Sequence, residues 1–534
     1  MKRLVALLIA AIMMISLCAC SKDTNDDPSD SGDATTNGFV GTSGGGSAAV
    51  YSAKDSVVFR LNADIATLDP HKTSGTANER IVQIQFYESL FGQDRFNDTT
   101  EINPRLAESW QYLDDEKLQM EITLRKGVKF HNGDEMTADD VVFSLNRAKD
   151  SGYSSTLAAF WESVEKIDDY TVVVHLTQAY GAIEKVLATP NCSIVCKKFT
   201  EESGDNLERT PCGTGPYVLS EWITGDSVTV TAFADYWRGE AAIKTGKFVI
   251  ITDNSTYLIA LENGEVDISN MMGTADVQTV IDNPDLSYTS SGSGNSGHCI
   301  LFNCGEGSIF ADERMRLAVA AAIDRESIYI SAFDGNGTIS TNIMSMTVDE
   351  YPENFEAIPF DLEYAKQLVI DAGYPDGVTI SVPTIEAANY NKPAIVIQEQ
   401  LGKIGIHLEL DVMTRAAWNE KVIGNSDFQI TNWAVVPDFE DADAILYKLH
   451  SNSGVNFYNI NDPELDALLD AGRALEPGEE RNQIYLEALE LIRDKAYAIS
   501  FLKDLRNVSY NSKLQGVVAF PEQRYQLFNF WWAE

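Results

Sequence analysis

An aromatic residue followed by a dense group of carboxylates stands out late in the chain. The group is Trp433, Asp438, Glu440, Asp441 and Asp443. An indole ring can stack on an apolar or sugar face, and carboxylates can pair with an amine, a polyamine or a metal chelate. Asp438, Glu440 and Asp441 would also suit the first turn of a helix carrying Ile445 and Leu446, because the helix dipole favours negative charge there. The sequence leaves a cation-binding site and a helix start both open.

Motifs that usually mark an enzyme are missing from the sequence. It contains no His-Glu-x-x-His, no Cys-x-x-Cys, no Rossmann glycine fingerprint and no set of kinase motifs. One serine-hydrolase pattern matches, Gly41-Thr42-Ser43-Gly44-Gly45, but it has no strand before it and no helix after it. The strained turn that makes such a serine nucleophilic therefore cannot form. We predict a protein that is not an enzyme and has no catalytic residues, cofactor or metal site.

The N-terminus has the pattern of an export signal. Two basic residues precede an apolar run from Leu4 to Ala19, which is too short for a comfortable membrane span. LCAC at residues 17–20 resembles a bacterial lipobox, which implies that residues 1–19 are a signal peptide and that Cys20 carries lipid. A plain signal peptide or an uncleaved anchor is the alternative. Residues 20–54 are rich in Ser, Gly, Asp and Thr, which predicts a flexible tether that holds the protein to the membrane by lipid alone.

Five cysteines follow the tether: Cys192, Cys196, Cys212, Cys299 and Cys304. Outside the cytoplasm, this odd set permits at most two disulfides and one free thiol. The spacing of Cys192 and Cys196 is not that of a zinc knuckle, and no paired histidines follow. We expect Cys299 to pair with Cys304 and Cys212 to pair with Cys192 or Cys196, although sequence alone does not fix the pairs.

Length and charge narrow the class of protein. A chain of 534 residues can form two or three domains, and its 40 basic and 80 acidic residues give a formal charge of -40. Such a surface repels nucleic acid and anionic lipid headgroups. We expect no nucleic-acid partner and a monomer.

Residues 118–145 give the clearest local prediction. Apolar residues alternate with polar ones from Leu118 to Leu124, as in a strand with one buried face. Thr137 stands three residues before Asp140, a spacing typical of a helix start, and Val141 and Leu145 give that helix a buried stripe.

Similar patterns recur along the chain. They predict strands at residues 56–60, 170–176, 378–382 and 407–411, with a helix from about Ala77 and further helices between the later strands. Strands that alternate with helices indicate an α/β fold.

The sequence motifs in these segments resemble those of the family 5 extracellular solute-binding proteins, which are the dipeptide, oligopeptide and nickel receptors of ABC importers. The resemblance covers nearly all of the chain after about residue 55. Besides residues 118–145 it is carried by LDP at 68–70, YESLF at 87–91, PRLAESW at 104–110, GTGPY at 213–217, DYW at 235–237, GEVD at 264–267, AIDR at 322–325 and AGYPDG at 372–377.

The resemblance implies a fold and a domain order. The fold is the two-lobed α/β fold of periplasmic binding proteins, of type II, in its large variant with three subdomains. The implied order is lobe I at 55–90, an extra subdomain of lobe I at 91–208, lobe I again at 209–295, lobe II at 296–504, and lobe I once more at 505–534.

The resemblance also implies where a solute binds. In the family, the loop holding Ser74 and Thr76 lines the cleft, although a simple helix start would explain the same residues equally well. A strand in the position of Asn432, Trp433 and Ala434 lies along the ligand. The peptide receptors place an aspartate three residues after the tryptophan to hold the peptide amino terminus. Here that position is Val436, and Asp438 could replace the aspartate after a local shift in loop length.

We therefore predict an extracytoplasmic, lipid-anchored receptor that closes on a small solute and delivers it to an ABC transporter permease. A peptide is the first expectation for the solute. An oligosaccharide, an opine or a nickel chelate is the alternative within the same role. A secreted hydrolase or a surface sensory binding module is the alternative from a different class.

Overall fold

The computed structural model describes residues 54–73, 76–93, 102–151, 160–270, 272–273, 276–291, 294–520 and 524–534. The predicted signal peptide, Cys20, the tether up to residue 53, and Ser74 lie outside these residues. Within the described ranges, no helix is both long enough and apolar enough to span a membrane.

The strands of the described residues follow in chain order. They are β1 Ser56–Leu61, β2 Phe91–Gln93, β3 Ile102–Pro104, β4 Ala107–Tyr112, β5 Gln119–Leu124, β6 Trp161–Asp168, β7 Thr171–Leu176, β8 Tyr217–Ile223, β9 Ser227–Ala232, β10 Thr245–Ile250, β11 Ile268–Asn270, β12 Leu286–Ser290, β13 Gly297–Phe302, β14 Thr338–Ile339, β15 Val378–Ile385, β16 Ile406–Met413, β17 Ile430–Val435, β18 Ala498–Lys503, β19 Asn507–Asn511, β20 Leu514–Gln515 and β21 Trp531–Trp532.

The α-helices are numbered in the same way. They are α1 Ala77–Gln83, α2 Ala138–Asp150, α3 Ile183–Leu187, α4 Lys197–Glu202, α5 Asn254–Glu262, α6 Val277–Asp282, α7 Glu313–Ala322, α8 Arg325–Phe333, α9 Leu362–Asp371, α10 Ala388–Gly402, α11 Arg415–Trp418, α12 Asp443–Leu446, α13 Pro463–Ala474 and α14 Glu479–Asp494.

The two ends of the described chain share a seven-stranded sheet of order β12-β19-β11-β1-β10-β9-β8. β1 is parallel to β10 and β11, and the remaining neighbours are antiparallel. Phe59, Tyr217, Phe248 and Trp532 pack in the core on this sheet. We call residues 54–291 and 507–534 lobe I, because β19 returns the C-terminal segment to this sheet.

A second sheet of lobe I, of order β4-β5-β7-β6, carries the predicted strand at 118–124 as β5. Met120, Ile122 and Leu124 are fully buried on one face of β5, as their spacing predicts. The predicted helix start is also confirmed. The Asp140 carboxylate accepts hydrogen bonds from the backbone N–H and the hydroxyl of Thr137, at 2.9 and 3.2 Å.

Lobe II, residues 297–503, is built on a four-stranded antiparallel sheet of order β14-β18-β13-β17. β15 and β16 form a parallel pair beside it, which confirms the strands predicted at 378–382 and 407–411. α10 joins β15 to β16, the right order for a parallel pair connected by a helix.

Two connections link the lobes and lie side by side. The chain enters lobe II between Ser291 and Ser296 and leaves it between Asp504 and Arg506. The Ser291 N–H donates to the Arg506 carbonyl at 2.8 Å, and the Asp504 N–H donates to the Ser296 carbonyl at 3.0 Å. Paired connections of this kind are where hinge motion between two bodies is absorbed.

Candidate functional site

β17 is an edge strand at the junction of the lobes. It pairs with β13 on one side, and among the described residues no strand pairs with its other side. Its last residue, Val435, lies opposite Gly297, the first residue of β13 after the chain enters lobe II. An edge strand presents a row of backbone N–H and C=O groups that another extended chain can pair with.

Trp433 of β17 is held in an aromatic stack. Its ring lies 4.4 Å from the ring of Trp418 and 5.7 Å from that of Tyr390, with interplanar angles of 13° and 14°. The guanidinium carbon of Arg415 lies 5.0 Å from the Trp433 ring and 5.3 Å from the Tyr390 ring. Trp433 itself stays half-buried, so the stack fixes the indole and leaves part of it accessible.

The neighbours of Trp433 turn their side chains into lobe II. The Asn432 amide nitrogen donates to the Tyr390 carbonyl at 2.8 Å, and Asn432 is 3% exposed. Ala434 is 5% exposed and packs in a core of lobe II. Any contact that these two residues make with a solute is therefore through the backbone.

Asp438 lies in the loop after β17 with its side chain 48% exposed, and accepts a hydrogen bond from Lys448 Nζ at 2.7 Å. α12 begins only at Asp443, with Ala442 as its N-cap. The expected helix therefore starts later than Asp438 and Glu440, although the Asp441 carboxylate does reach its start and accepts from the Asp443 N–H at 3.0 Å. Sequence reasoning failed for Asp438 and Glu440 because side chains outside the helix bond them: Lys448 bonds Asp438, and Thr347 bonds Glu440.

Arg80 of α1 faces this loop from lobe I. Burial lowers the pKa of the Arg80 guanidinium, while the charges of Asp438 and Glu79 act in the opposite direction. Asp438 is thus close enough to attract Arg80 from the other lobe. Arg80 keeps some accessible surface although protein surrounds it, as expected of a group lining a deep cleft. Its Nε is buried and, within the described chain, has no hydrogen-bond partner.

Sequence reasoning did not single out Arg80. The available signal was its position one helical turn after Thr76, on the same face of α1. Thr76 caps that helix: its hydroxyl accepts from the Glu79 N–H at 3.3 Å, and the Glu79 carboxylate accepts from the Thr76 N–H at 3.3 Å. Thr76 therefore has one of the two roles predicted for it, that of a helix start.

Asp441 lies in a buried cluster of charges that joins the lobes. It accepts from Arg481 of lobe II at 2.6 Å and from Lys185 of lobe I at 3.2 Å. Arg481 also bonds Glu350. Burial opposes ionisation of Asp441, but Arg481 and Lys185 hold its pKa below the usual range. Burial and the neighbouring charge of Asp441 raise the pKa of Glu350.

Asp443 forms a second link between the lobes. It accepts from Arg473 of lobe II at 2.9 Å and from the Tyr180 hydroxyl of lobe I at 2.9 Å. Burial raises the pKa of Asp443, with Arg473 acting against the shift. Two of the four carboxylates noted in the sequence thus join protein to protein rather than meet a solute.

Cys192, Cys196, Cys212, Cys299 and Cys304 are all free thiols. The predicted pair of Cys299 and Cys304 is wrong. Cys299 lies within β13 and Cys304 follows its end, and a strand rises about 3.3 Å per residue, so their side chains are kept apart. Cys196 and Cys212 do meet, since their thiols share a hydrogen bond. Elsewhere in the described ranges as well, no group of three or more His, Cys, Asp or Glu side chains is placed to hold a metal ion.

The chain as a whole matches a known family. Residues 101–457 match the family model described as bacterial extracellular solute-binding proteins, family 5 middle. The chain therefore belongs to the family 5 bacterial extracellular solute-binding proteins, the extracytoplasmic receptors of ABC importers.

Relatives of this chain have been named for different solutes. It is 29% identical over 462 residues to heme-binding protein A of Haemophilus influenzae, covering 79% of this chain and 83% of the relative. It is 27% identical over 489 residues to the glutathione-binding protein GsiB of Salmonella choleraesuis, covering 88% and 93%. These relatives are named as binding proteins, not as enzymes.

A solved structure confirms the predicted two-lobed fold. HbpA2 of Haemophilus parasuis superposes with a TM-score of 0.79 at 26% identity, covering 90% of this chain and 100% of that one.

Proposed function

We propose that the cleft between the lobes binds a short peptide for delivery to the permease of an ABC importer. The observation that carries this proposal is the edge of β17 beyond Thr431, which no described strand pairs with and which ends at the junction of the lobes beside Trp433. The Thr431 hydroxyl itself bonds the Pro383 carbonyl of β15. An edge strand can hydrogen-bond a peptide backbone while leaving its side chains unread. Water in such a cleft lets one receptor accept varied side chains.

Charges around the edge suit a peptide that carries a free amino end. Asp438 is the exposed carboxylate at this end of β17 and has one cationic partner, Lys448. A peptide ammonium would compete with Lys448 for that carboxylate, and Asp438 would then have the role of the aspartate in the family's peptide receptors. The name of the Salmonella relative gives independent support, because glutathione is a tripeptide.

Two measurements test the peptide proposal. Mass spectrometry of solute retained by gently purified protein should find a peptide, and a retained oligosaccharide, opine, heme or nickel chelate would contradict it. Calorimetry with a library of tripeptides should then show about a ten-fold loss of affinity for Trp433→Ala, or about 1.4 kcal/mol. Trp433→Phe is the control, since it keeps an aromatic ring in the stack.

Asp438→Asn separates the amino-end contact from the rest of the site. It preserves size and removes charge, so it should weaken binding of peptides with a free amino end and leave binding of amino-acetylated peptides unchanged. Equal binding of both forms by the parent protein would assign Asp438 to its pair with Lys448 alone.

We also propose that the mature protein is a monomeric lipoprotein anchored through Cys20, and that it acts by binding without catalysis. LCAC at residues 17–20 supports cleavage before Cys20, and the polar stretch that follows suits a tether. Cys20→Ala should release the protein from the membrane or block its processing. Retention of the variant at the parent's level in washed membranes would contradict the lipid anchor.

A further inference from the structure

Lys503 is a fully buried lysine at the junction of the lobes. It is the last residue of β18, directly before the chain leaves lobe II, and it is 0% exposed. It lies opposite Gly297, the first residue of β13. A β-carbon on Gly297 would lie 2.5 Å from Lys503 Nζ, closer than real contacts allow, so this glycine makes the space that the ammonium occupies.

The ammonium lacks a protein partner. Within the part of the chain that the structure describes, Lys503 Nζ has no hydrogen-bond partner, and burying such a group unpaired is costly. The adjacent carboxylate, Asp504, is 3.1 Å from His298 Nε2. The Cys299 thiol donates to the Gly297 carbonyl at 3.2 Å. Burial lowers the pKa of Lys503 to about 8, with Cys299 acting against the shift.

A second unsatisfied donor lies on the neighbouring loop. Asn342 is 4% exposed, and its Nδ2 has no hydrogen bond of normal geometry in the described chain, although the Tyr351 hydroxyl lies near this side chain. Its Oδ1 accepts from the Met344 N–H at 2.9 Å. The carbonyl of the next residue, Ile343, lies 3.5 Å from the same β-carbon position on Gly297. The loop is tied to the interlobe connection, because the Met346 N–H donates to the Gly294 carbonyl.

We propose that Lys503, with Asn342 beside it, forms a subsite for an acidic group of the solute, a carboxylate, at the hinge end of the cleft. A carboxylate accepts from both donors and neutralises the ammonium, and charge-assisted hydrogen bonds of this kind are roughly twice as strong as neutral ones. This proposal rests on the cleft being the binding site and narrows the proposed peptide to one with a free carboxyl end. Asp438 would then meet the amino end and Lys503 the carboxyl end.

The first test compares two probes, a tripeptide library with free carboxyl ends and the same library amidated there. In calorimetry at neutral pH the parent should bind the acid library about ten-fold more tightly or better, and Lys503→Met should lose that preference. Lys366→Met is the control, because Lys366 is an exposed lysine of lobe II paired with Glu363. A parent without the preference, or a Lys503→Met variant that keeps it, overturns the subsite.

The second test needs neither a peptide nor a variant of the protein. In parent protein labelled with ¹³C at lysine Cε, the buried Lys503 resonance should titrate near pH 8 in chloride and at a higher pH in acetate, since a bound carboxylate favours the ammonium form. Cys299, Asp504 and His298 are the titratable neighbours of Lys503, and the comparison of the two salts leaves all three in place. If neither peptide library binds, the peptide proposal fails, and this titration decides the subsite: a midpoint that acetate does not move overturns it.

Discussion

At the scale of single residues, Cys196 and Cys212 are the cysteines that can react with each other. The Cys196 N–H donates to the Cys212 carbonyl at 3.3 Å, and the two thiols share a hydrogen bond. The bond from Cys212 lowers the pKa of Cys196, and the same contact raises the pKa of Cys212. Residues whose backbones are this close lie within the range that a disulfide can bridge.

We expect the oxidant diamide to link Cys196 and Cys212 within one chain. Each thiol loses its proton and one electron. The azo group of diamide takes up the two protons and two electrons and becomes a hydrazine. Tryptic mass mapping should find the Cys196 peptide joined to the Cys212 peptide, and Cys196→Ser should abolish the product. A product joining Cys299 to Cys304 would show that the separation of these two residues along β13 is wrong.

The residue types in the sequence showed which side chains can bind or react. They did not show which residues those side chains contact in the fold. Trp433 was singled out as an aromatic that contacts the solute, which stays a prediction, while its stacking on Trp418 and Tyr390 brings together three distant segments. Arg80 and Lys503 were missed. Each looks like an ordinary surface residue in the sequence. Only the folded chain shows that Arg80 Nε and Lys503 Nζ are buried without a hydrogen-bond partner among the described residues.

At the scale of secondary structure, the start of α1 can be tested directly. Thr76 and Glu79 form a reciprocal cap at the first turn of this helix. Thr76→Ala should lower the free energy of unfolding by about 1 kcal/mol, the usual effect of removing a capping hydroxyl. Thr76→Ser keeps the hydroxyl and should retain most of that stability.

Urea denaturation of the two variants measures this effect. Equal loss in both variants would show that the methyl group of Thr76, and not the cap, stabilises the helix. Calorimetry on the same pair addresses the other reading of Thr76: tight binding by the serine variant with weak binding by the alanine variant would show that the hydroxyl also contacts the solute.

Elements with strong periodicity could be predicted from sequence, and those held by remote contacts could not. β5 and α2 follow from alternation and from the spacing of Thr137 and Asp140, which are local properties. For the acidic stretch after β17, local rules predict a helix start at Asp438, which is earlier than the start at Asp443 in the structure. The fold instead places Asp441 against Arg481, forty residues away in sequence. Ion pairs of that range leave no periodic signal.

At the scale of the whole molecule, two kinds of link hold the lobes in contact. The paired connections near Ser291 and Arg506 are covalent and permit hinge motion, while the buried pair of Lys185 and Asp441 exists only where the lobes meet. Because the pKa of Asp441 is lowered, the link is fully present above the ordinary carboxyl range. It should be lost as the pH falls through the lowered pKa, so acid should favour separated lobes.

Lys185→Met should shift the solute-free protein toward open lobes. The buried cluster holds two acids, Glu350 and Asp441, against Arg481 and Lys185, so removing one cation leaves an uncompensated negative charge wherever the lobes are closed. Small-angle X-ray scattering should therefore give the variant a larger radius of gyration than the parent. Its solute affinity should fall as well, because closure must now be driven by the solute.

Lys117→Met is the matched control for this shift. Lys117 also reaches from lobe I to an acid of lobe II, Glu476, at 2.8 Å, but both side chains are more than 40% exposed. Exposed pairs contribute little to stability, so this variant should scatter like the parent. If Lys185→Met also scatters like the parent, the free-energy cost of burying Lys185 equals the free energy gained from its pairing with Asp441. Closure would then depend on the solute, on the hydrogen bond from Tyr180 to Asp443, and on the apolar contacts of Phe439 and Ala444 with the core of lobe I.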